Sequence, residues 1–196
     1  MKVLFAAASY LLGSIPTGYL LVRAADRRDI RELGSGATGA TNVLRVKGLK
    51  FALPVVIVDF LKGFLPAFLG LRLFHDPCLA GLAGFLAIVG HCFPFSIGFR
   101  GGKGMATSMG VFSVLAFRPV LVCLGVFIVV VAVSRYVSLG SIAAAAVLPL
   151  SIFLIDGPGP VFYWSVPSAL LVIYKHKDNI GRLLGGTERR LGAKGP

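Results

Sequence analysis

Three polar segments of the sequence combine glycine residues with side chains that can hold an anion. They cover residues 34–45, 90–107 and 176–188, and each one borders a long apolar stretch. Consecutive glycines let backbone N–H groups approach a ligand closely and form a nest for a negative charge. Arginine and lysine add the positive charge that suits phosphate. The three segments are therefore the candidates for a site that handles phosphorylated molecules.

The first segment reads G-S-G-A-T-G-A-T-N-V-L-R and carries the G-x-G-x-x-G spacing of dinucleotide-binding proteins. That spacing binds a dinucleotide only between a strand and a helix. Since an apolar stretch of transmembrane length precedes it here, we reject the dinucleotide interpretation. We expect neutral donors from Ser35, Thr41 and Asn42, and a forked donor from Arg45, to face a phosphate. A polar loop with turn glycines stays open as the alternative for this segment.

The second segment contains G-G-K-G at residues 101–104, directly before a stretch predicted to be helical. This arrangement collects free N–H groups, the positive end of a helix dipole and Lys103 around one point. It differs from a nucleotide P-loop because Gly98 lies one residue too close and Gly104 replaces the residue that holds magnesium. A phosphate on a smaller molecule is therefore the expected ligand, although a tight surface turn would also explain the glycines. His91 fits a structural histidine as well as a catalytic one.

The third segment places His176 and Asn179 on one face of a predicted helix, with Arg182 close to them. A basic tail that reaches toward lipid headgroups is the alternative. A lipid-facing tail would account for Lys175 and Lys177, but it gives no reason for His176 and Asn179. We therefore expect His176, Asn179 and Arg182 to face a substrate.

An acidic and a basic residue, Asp59 and Lys62, lie three positions apart inside an apolar stretch. Ionisable side chains are costly within a membrane, so their presence there indicates a function. A pair that only neutralises itself explains the same spacing equally well. Both interpretations stay open at this point.

The composition is that of an integral membrane protein. Of 196 residues, 56% are hydrophobic and 14% are charged, and the mean hydropathy is +0.85. A soluble domain carries about 25% charged residues, and one of this size could not bury so much apolar surface. The same figures exclude a disordered chain and a disulfide scaffold. In a soluble protein the net charge of +12 would indicate binding to nucleic acid. In a membrane protein the same charge is explained by basic cytoplasmic loops that set the orientation, by contact with anionic lipids, or by binding of anionic substrates.

Seven apolar stretches could cross a membrane as helices. The fourth and fifth are separated at Arg118 and Pro119. The seven lie at residues 3–22, 51–74, 78–95, 105–117, 120–133, 137–155 and 158–174. Cytoplasmic loops carry an excess of lysine and arginine, and only an odd number of spans puts the basic residues 23–50 and the basic tail on one side. The sequence thus predicts one all-α transmembrane domain, residues 1–196, with seven helices, the N-terminus outside and the C-terminus cytoplasmic.

The three polar segments resemble the motifs of a known family, the bacterial membrane acyltransferases that transfer a fatty acyl group from acyl phosphate to glycerol 3-phosphate. The first motif, S-G-N-x-G-A-T-N-x-x-R, is matched by residues 35–45 except at Ala37, where the family has asparagine. The second, G-H-x-F-P-x-x-x-x-F-x-G-G-K-G-x-A-T, is matched throughout residues 90–107, and the third, H-x-x-N-I-x-R-L-x-x-G-x-E, throughout residues 176–188. The resemblance runs from the first span to the tail.

The resemblance implies an enzyme that makes 1-acyl-glycerol 3-phosphate, the first acylation of bacterial phospholipid synthesis, on the cytoplasmic face of the cytoplasmic membrane. Its substrates would be glycerol 3-phosphate and fatty acyl phosphate, in contact with membrane lipids, with no metal, no other cofactor and no nucleic acid. The predicted catalytic residues are Ser35, Arg45, Lys103, His176 and Asn179. The predicted substrate-binding residues are Gly36, Thr41, Asn42, His91, Gly101, Gly102, Gly104, Thr107 and Arg182. Structural support is expected from Glu188, Asp59 and Lys62.

The expected reaction is attack of the glycerol hydroxyl on the acyl carbonyl, with two phosphate-bearing molecules neutralised by cations and N–H groups. Ser35 or Asn179, helped by Lys103, would stabilise the oxyanion. Either His176 or a phosphate oxygen of the substrate would take the proton. A transporter or channel for small phosphorylated anions is the alternative function, but its site would be expected near the middle of the membrane, between matched halves.

Overall fold

The structure, a computed structural model, describes residues 1–192, and within them it contains helices and no strand. The chain forms two compact units, Met1–Leu115 and Ala116–Pro196, the second described to residue 192. The first unit contains α1 (Lys2–Gly13), α2 (Thr17–Asp26), α3 (Ala40–Lys47), α4 (Leu49–Phe74), α5 (Pro77–Cys92) and α6 (Met105–Leu115). The second unit contains α7 (Phe117–Ser134), α8 (Val137–Asp156), α9 (Pro160–Lys175) and α10 (Lys177–Leu184).

Pro16 divides the first apolar stretch into two helices. Helix α1 ends at Gly13 and α2 begins at Thr17, because proline has no N–H to continue the helical hydrogen bonds and its ring clashes with the preceding turn. The carbonyl oxygen of Ile15, at the break, accepts a hydrogen bond from Lys62 of α4. The break therefore supplies a backbone acceptor to a buried cation.

Small residues allow the helices of the first unit to pack closely. A Cβ added to Gly13 or Gly90 would overlap backbone atoms between α1 and α5, and one added to Gly63 or Gly110 would overlap backbone atoms between α4 and α6. Lipid tails are as apolar as the helices, so close van der Waals packing has to hold such helices together. The packing brings the end of α5 and the start of α6 against α4.

The second unit is built on a hairpin of α7 and α8. Arg135 closes α7 in a left-handed conformation, with φ of 63°. Gly140 lets α8 approach α7, since a Cβ there would lie 2.6 Å from the side chain of Val131. Helix α9 packs on α8, and His176 alone separates α9 from the short α10.

Within residues 1–192, five helical segments are long and apolar enough to cross a membrane. They are Lys2–Asp26, Leu49–Phe74, Pro77–Ile97, Phe117–Ser134 and Val137–Asp156. Helices α6 and α9 correspond to the fourth and seventh predicted spans, but they have only 11 and 16 residues. The multi-pass helical architecture is thus confirmed, while the count of seven spans, the orientation of the termini and the single domain stay predictions.

The predicted boundary between the fourth and fifth spans is wrong by a few residues. Helix α6 ends at Leu115 and α7 begins at Phe117, so Arg118 and Pro119 lie in the first turn of α7 instead of separating two spans. Proline is tolerated at that position because the first N–H groups of a helix have no intrahelical acceptor.

Candidate active site

The glycine loop, residues 101–104, packs directly onto the end of α5. The Gly102 N–H donates to the carbonyl oxygen of His91 at 3.0 Å, and the Gly101 N–H donates to that of Cys92 at 3.3 Å. A Cβ on Gly102 would overlap Nε2 of the His91 ring, and one on Gly101 would overlap the His91 carbonyl oxygen. Both positions therefore exclude any side chain, since its space is already filled by the histidine.

The glycine loop leads into the N-terminus of α6. Gly104 has a φ of +80°, which glycine adopts readily, and its carbonyl oxygen accepts from the Ser108 N–H at 2.8 Å. The first N–H groups of α6 have no intrahelical acceptor, and the helix dipole favours an anion in front of them. Half-buried Lys103 adds a positive charge beside them. The local geometry is compatible with anion binding, which stays a prediction for this turn.

Thr107 lies inside the first unit rather than at its surface. Its side chain is fully buried, and its hydroxyl has no hydrogen-bond partner among the described residues. Its carbonyl oxygen lies where a Cβ on Gly63 would be, so it is part of the contact between α4 and α6. A direct contact of Thr107 with substrate stays a prediction.

Asn42 organises the first polar segment from the inside. Its side chain is buried, its Oδ1 accepts from the Ser35 N–H at 2.8 Å, and its Nδ2 donates to the carbonyl oxygens of Leu33 and Ala37 at 3.0 and 2.9 Å. These bonds use both ends of the amide to hold the loop in shape. The substrate contact predicted for Asn42 is therefore corrected to a loop-forming role, because the amide faces the loop backbone.

The predicted phosphate contacts of this segment lie on its exposed side. Gly34 and Gly36 turn the chain with φ of +62° and +73°. Ser35 and Thr41 are exposed, and Arg45 is exposed on the last turn of α3. Their position is compatible with binding an anion from outside the unit.

Asp59 and Lys62 form an ion pair that is almost completely buried. The exposed fractions are 3% and 2%, and Lys62 Nζ lies 2.6 Å from Asp59 Oδ1. The same carboxylate oxygen lies 3.7 Å from Nδ1 of His91. The ion pair that the sequence left open as one of two interpretations is present, and its neighbour on α5, His91, belongs to the second polar segment.

Glu188 is the centre of a hydrogen-bond network in the second unit. Its Oε1 accepts from Ser138 Oγ and from Asn179 Nδ2, both at 2.8 Å, and its Oε2 accepts from Arg182 Nε at 2.7 Å. The network joins two predicted site residues with a predicted support residue. Ser138, in the first turn of α8, was missed by the sequence analysis. No local pattern indicates it, since its partner is 50 residues away.

His176 lies between α9 and α10 with a buried ring, and its Nδ1 is 2.7 Å from the carbonyl oxygen of Val172. A carbonyl oxygen can only accept, so Nδ1 carries a hydrogen. In the neutral ring, Nε2 is then the nitrogen that carries the lone pair. The geometry thus defines the tautomer of the histidine that the sequence singled out.

Glu188 is held in its ionised form by the donors around it. Burial raises the pKa of Glu188, but hydrogen bonds from Ser138, Asn179 and Arg182, together with the charge of Arg182, outweigh it and hold the pKa below its ordinary value of 4.5. A carboxyl group of this kind stabilises the fold above its unfolded pKa. The stabilisation is lost as the pH falls through the folded pKa.

Replacing Glu188 by glutamine is expected to lower the free energy of unfolding by about 2 kcal/mol at pH 7, because an amide nitrogen cannot accept from Arg182 or Asn179. Thermal unfolding in detergent between pH 7 and pH 3 measures the effect. Below the ordinary pKa of 4.5, the Tm of the wild type should fall more steeply than that of the variant. Exposed Glu32, changed to glutamine, is the control. An unchanged Tm at pH 7 would contradict the role of the network.

The membrane-spanning helices and the two polar clusters together define the class of protein. It is a helical integral membrane protein with a cationic glycine turn in one unit and a carboxylate-centred network in the other. Within residues 1–192, no group of three His, Cys, Asp or Glu side chains is placed to hold a metal ion. The features are those of a protein that handles anionic, phosphorylated molecules at a membrane.

The profile of the glycerol-3-phosphate acyltransferase family matches residues 3–186, and the chain belongs to this family. The chain is 44% identical over 194 residues to the glycerol-3-phosphate acyltransferase of Synechococcus sp. (strain CC9902), covering 99% of this chain and 97% of the relative. It is 47% identical over 187 residues to that of Trichlorobacter lovleyi, covering 95% and 96%. The family predicted from the motifs is thereby confirmed.

Two solved structures of PlsY (YgiH), an integral membrane glycerol 3-phosphate acyltransferase, have the same fold. The glycerol 3-phosphate form matches with a TM-score of 0.93 and 38% identity, covering 97% of this chain and 96% of that chain. The lysophosphatidic acid form matches with a TM-score of 0.90 and 36% identity, covering 97% and 95%. The likeness therefore extends over nearly the whole chain.

Proposed function

We propose that the protein transfers a fatty acyl group from acyl phosphate to the 1-hydroxyl of glycerol 3-phosphate, giving lysophosphatidic acid and inorganic phosphate. The observation that carries the proposal is the match, at a TM-score of 0.93, to an acyltransferase solved in its glycerol 3-phosphate form. That enzyme is also solved in a lysophosphatidic acid form. The two molecules differ by one acyl ester, which is the bond that the proposed reaction makes.

The first unit suits a phosphorylated acceptor. The glycine loop and Lys103 offer backbone N–H groups and a positive charge at the start of α6, and exposed Arg45 offers a forked guanidinium. Two phosphate-bearing substrates repel each other strongly where water is excluded, so their neutralisation lowers the barrier to reaction. We assign the phosphate of glycerol 3-phosphate to the glycine loop and Lys103, and a further phosphate contact to Arg45.

Acyl phosphate is the proposed donor because its leaving group is phosphate, which departs without a strong general acid. The loop at residues 101–104 lacks the spacing of a nucleotide P-loop, which argues for small phosphates over a nucleotide-bearing thioester. The long acyl chain would lie among the lipid tails at the surface of the spans. The resemblance of the motifs supports the same donor.

Ser35 and Asn179 are proposed to stabilise the oxyanion, helped by Lys103. An effective donor must be oriented before the reaction begins. The backbone of Ser35 is held by Asn42, and the amide of Asn179 is held by Glu188. Arg182 is bound to the same carboxylate, so we propose that it contacts substrate from a fixed position.

His176 is the proposed general base, and a phosphate oxygen of the substrate is the alternative. With the Nδ1 hydrogen given to Val172, Nε2 is the proton acceptor. We expect His176→Gln to lower kcat about a hundredfold and to change the shape of the pH–rate profile. Exposed His75, changed to asparagine, is the control. A uniform loss of rate with an unchanged profile would assign the proton to the substrate.

We further propose that residues 1–196 act as one domain of seven spans in the bacterial cytoplasmic membrane, with the N-terminus outside and the three polar segments cytoplasmic. The basic residues 23–50 and the basic tail support this orientation. In a variant without its native cysteines, single cysteines at the exposed positions Val3 and Leu184 are treated with an impermeant maleimide. Labelling of both positions from the same side would contradict the orientation.

The experiment that tests the activity uses purified protein in micelles with acyl phosphate and labelled glycerol 3-phosphate, without metal or nucleotide. We expect labelled lysophosphatidic acid and phosphate in equal amounts. Acyl-CoA in place of acyl phosphate is the control for the donor and should give no product. Absence of product with acyl phosphate, together with uptake of glycerol 3-phosphate into liposomes, would instead support the transporter alternative.

A further inference from the structure

A buried ion pair lies beside the glycine loop, and acyl transfer alone gives it no role. Asp59 and Lys62 are 3% and 2% exposed on α4, a helix long enough to span a membrane. Charges at membrane depth are costly, and a pair with no further task is replaceable by apolar residues without loss of stability. The presence of both charges at this depth is therefore the feature for which a task should be sought.

The position of the Asp59 carboxylate is fixed by its partners. Lys62 Nζ lies 2.6 Å from Asp59 Oδ1 and also donates to the carbonyl oxygen of Ile15 at the break between α1 and α2. The ammonium group is thus held by α4 and by the backbone of a second element. A carboxylate whose partner is held in this way keeps one position inside the unit.

The fixed carboxylate faces one side of the His91 ring, and the glycine loop covers the other. Asp59 Oδ1 lies 3.7 Å from Nδ1 of His91. Nε2, the opposite ring nitrogen, occupies the space that a Cβ on Gly102 would need. The backbone of the same histidine accepts the Gly102 N–H at 3.0 Å. The ring therefore lies between the ion pair and the loop.

We infer that Asp59 and Lys62 are positioning residues, which hold the His91 ring and, through it, the glycine loop in the conformation that binds a phosphate monoester. The inference rests on the proposed function for the identity of that ligand, glycerol 3-phosphate. The Asp59 carboxylate beside Nδ1 limits how far the ring can turn or shift, so Nε2 stays against Gly102. The loop then presents its remaining N–H groups at the start of α6 in one arrangement.

The test uses a neutral replacement of the whole pair, Asp59→Asn with Lys62→Met. Removing one partner alone would leave a buried charge and unfold the protein, whereas a neutral pair of similar size is tolerated. We expect the KM for glycerol 3-phosphate to rise tenfold or more, while kcat changes less than threefold. The control is Lys2→Met, which removes an exposed ion pair with Asp76. A KM within twofold of the wild type in a folded double variant would overturn the inference.

A double-mutant cycle shows whether the pair acts through the histidine. If it does, adding the neutral pair to His91→Gln raises KM less than twofold further, because the ring that the pair holds is already gone. Full additivity of the two changes would assign the effect to general packing and overturn the inference. Asp59→Asn with Lys62→Gln, which keeps a hydrogen bond across the helix turn, repeats the test should the methionine variant not fold.

A third measurement does not depend on turnover. Hydrogen exchange of the Gly101 and Gly102 amides, which are bonded to the end of α5, is expected to be at least tenfold faster in the neutral-pair variant and unchanged in Lys2→Met. Unchanged exchange would overturn the positioning role even if acyl transfer is established. If the wild type makes no lysophosphatidic acid but exchange is faster in the neutral-pair variant, the proposed function is wrong and the positioning role still stands.

Discussion

Replacing Gly102 by alanine is expected to raise the KM for glycerol 3-phosphate about a hundredfold. The added methyl group would overlap Nε2 of His91, and the ring cannot move away freely because its other nitrogen faces Asp59. The loop must shift instead, and a displacement of about 1 Å costs roughly a hundredfold in rate at a reacting site. Steady-state kinetics with glycerol 3-phosphate varied at saturating acyl phosphate measure the change.

Gly125→Ala in α7 is the matched control for this substitution. Apart from its chain neighbours and the backbone of its own helix, no heavy atom lies within 4 Å of a Cβ at that position, and alanine is the better helix former by about 1 kcal/mol. We expect an unchanged KM and a Tm equal to or above that of the wild type. If Gly102→Ala keeps the wild-type KM, the glycine loop does not bind the acceptor and our assignment of its phosphate is wrong.

Removing the cations of the phosphate sites is the second large effect. Lys103→Ala and Arg45→Ala are each expected to lower activity at least tenfold, since charge-assisted hydrogen bonds to phosphate are about twice as strong as neutral ones. Lys103 lies in the glycine loop before α6, and Arg45 lies on the exposed side of α3. Turnover in detergent, with each substrate varied in turn, shows which phosphate each side chain serves.

The control for the two cation variants is Lys50→Ala, which removes an exposed charge from the first turn of α4. It should change turnover less than twofold, because a surface charge of this kind contributes only long-range, salt-screened attraction. Near-wild-type turnover of Lys103→Ala or Arg45→Ala at saturating substrate would refute the corresponding phosphate contact.

The membrane class and the family were predictable because their evidence is local. Hydropathy sums over consecutive residues, so the apolar stretches are visible without tertiary contacts. Two details of the helices differ from the expected spans. Residues 3–22 were expected as one span, but Pro16 divides them into two helices, since proline disrupts a helix through its own ring and missing N–H. The boundary near Arg118 was wrong, because an apolar run does not show where a helix break of one residue occurs.

The roles of single side chains were less predictable. Asn42 has the chemistry of a substrate donor, and the sequence assigns it to substrate. In the structure its amide bonds the backbone at Leu33, Ser35 and Ala37. A side chain that can bind either a ligand or its own loop gives the same sequence pattern in both cases, and only the loop conformation distinguishes them.

The sequence by itself determined that this chain is an integral membrane protein that carries three glycine-bearing polar motifs of its family, because composition, charge and motif spacing do not depend on how helices pack. The tertiary structure alone decided that His91 lies between Asp59 and Gly102, and that Ser138 joins Glu188. These contacts join residues on separate helices and loops. Their geometry depends on how the helices pack, which the hydrophobic periodicity of the sequence does not specify.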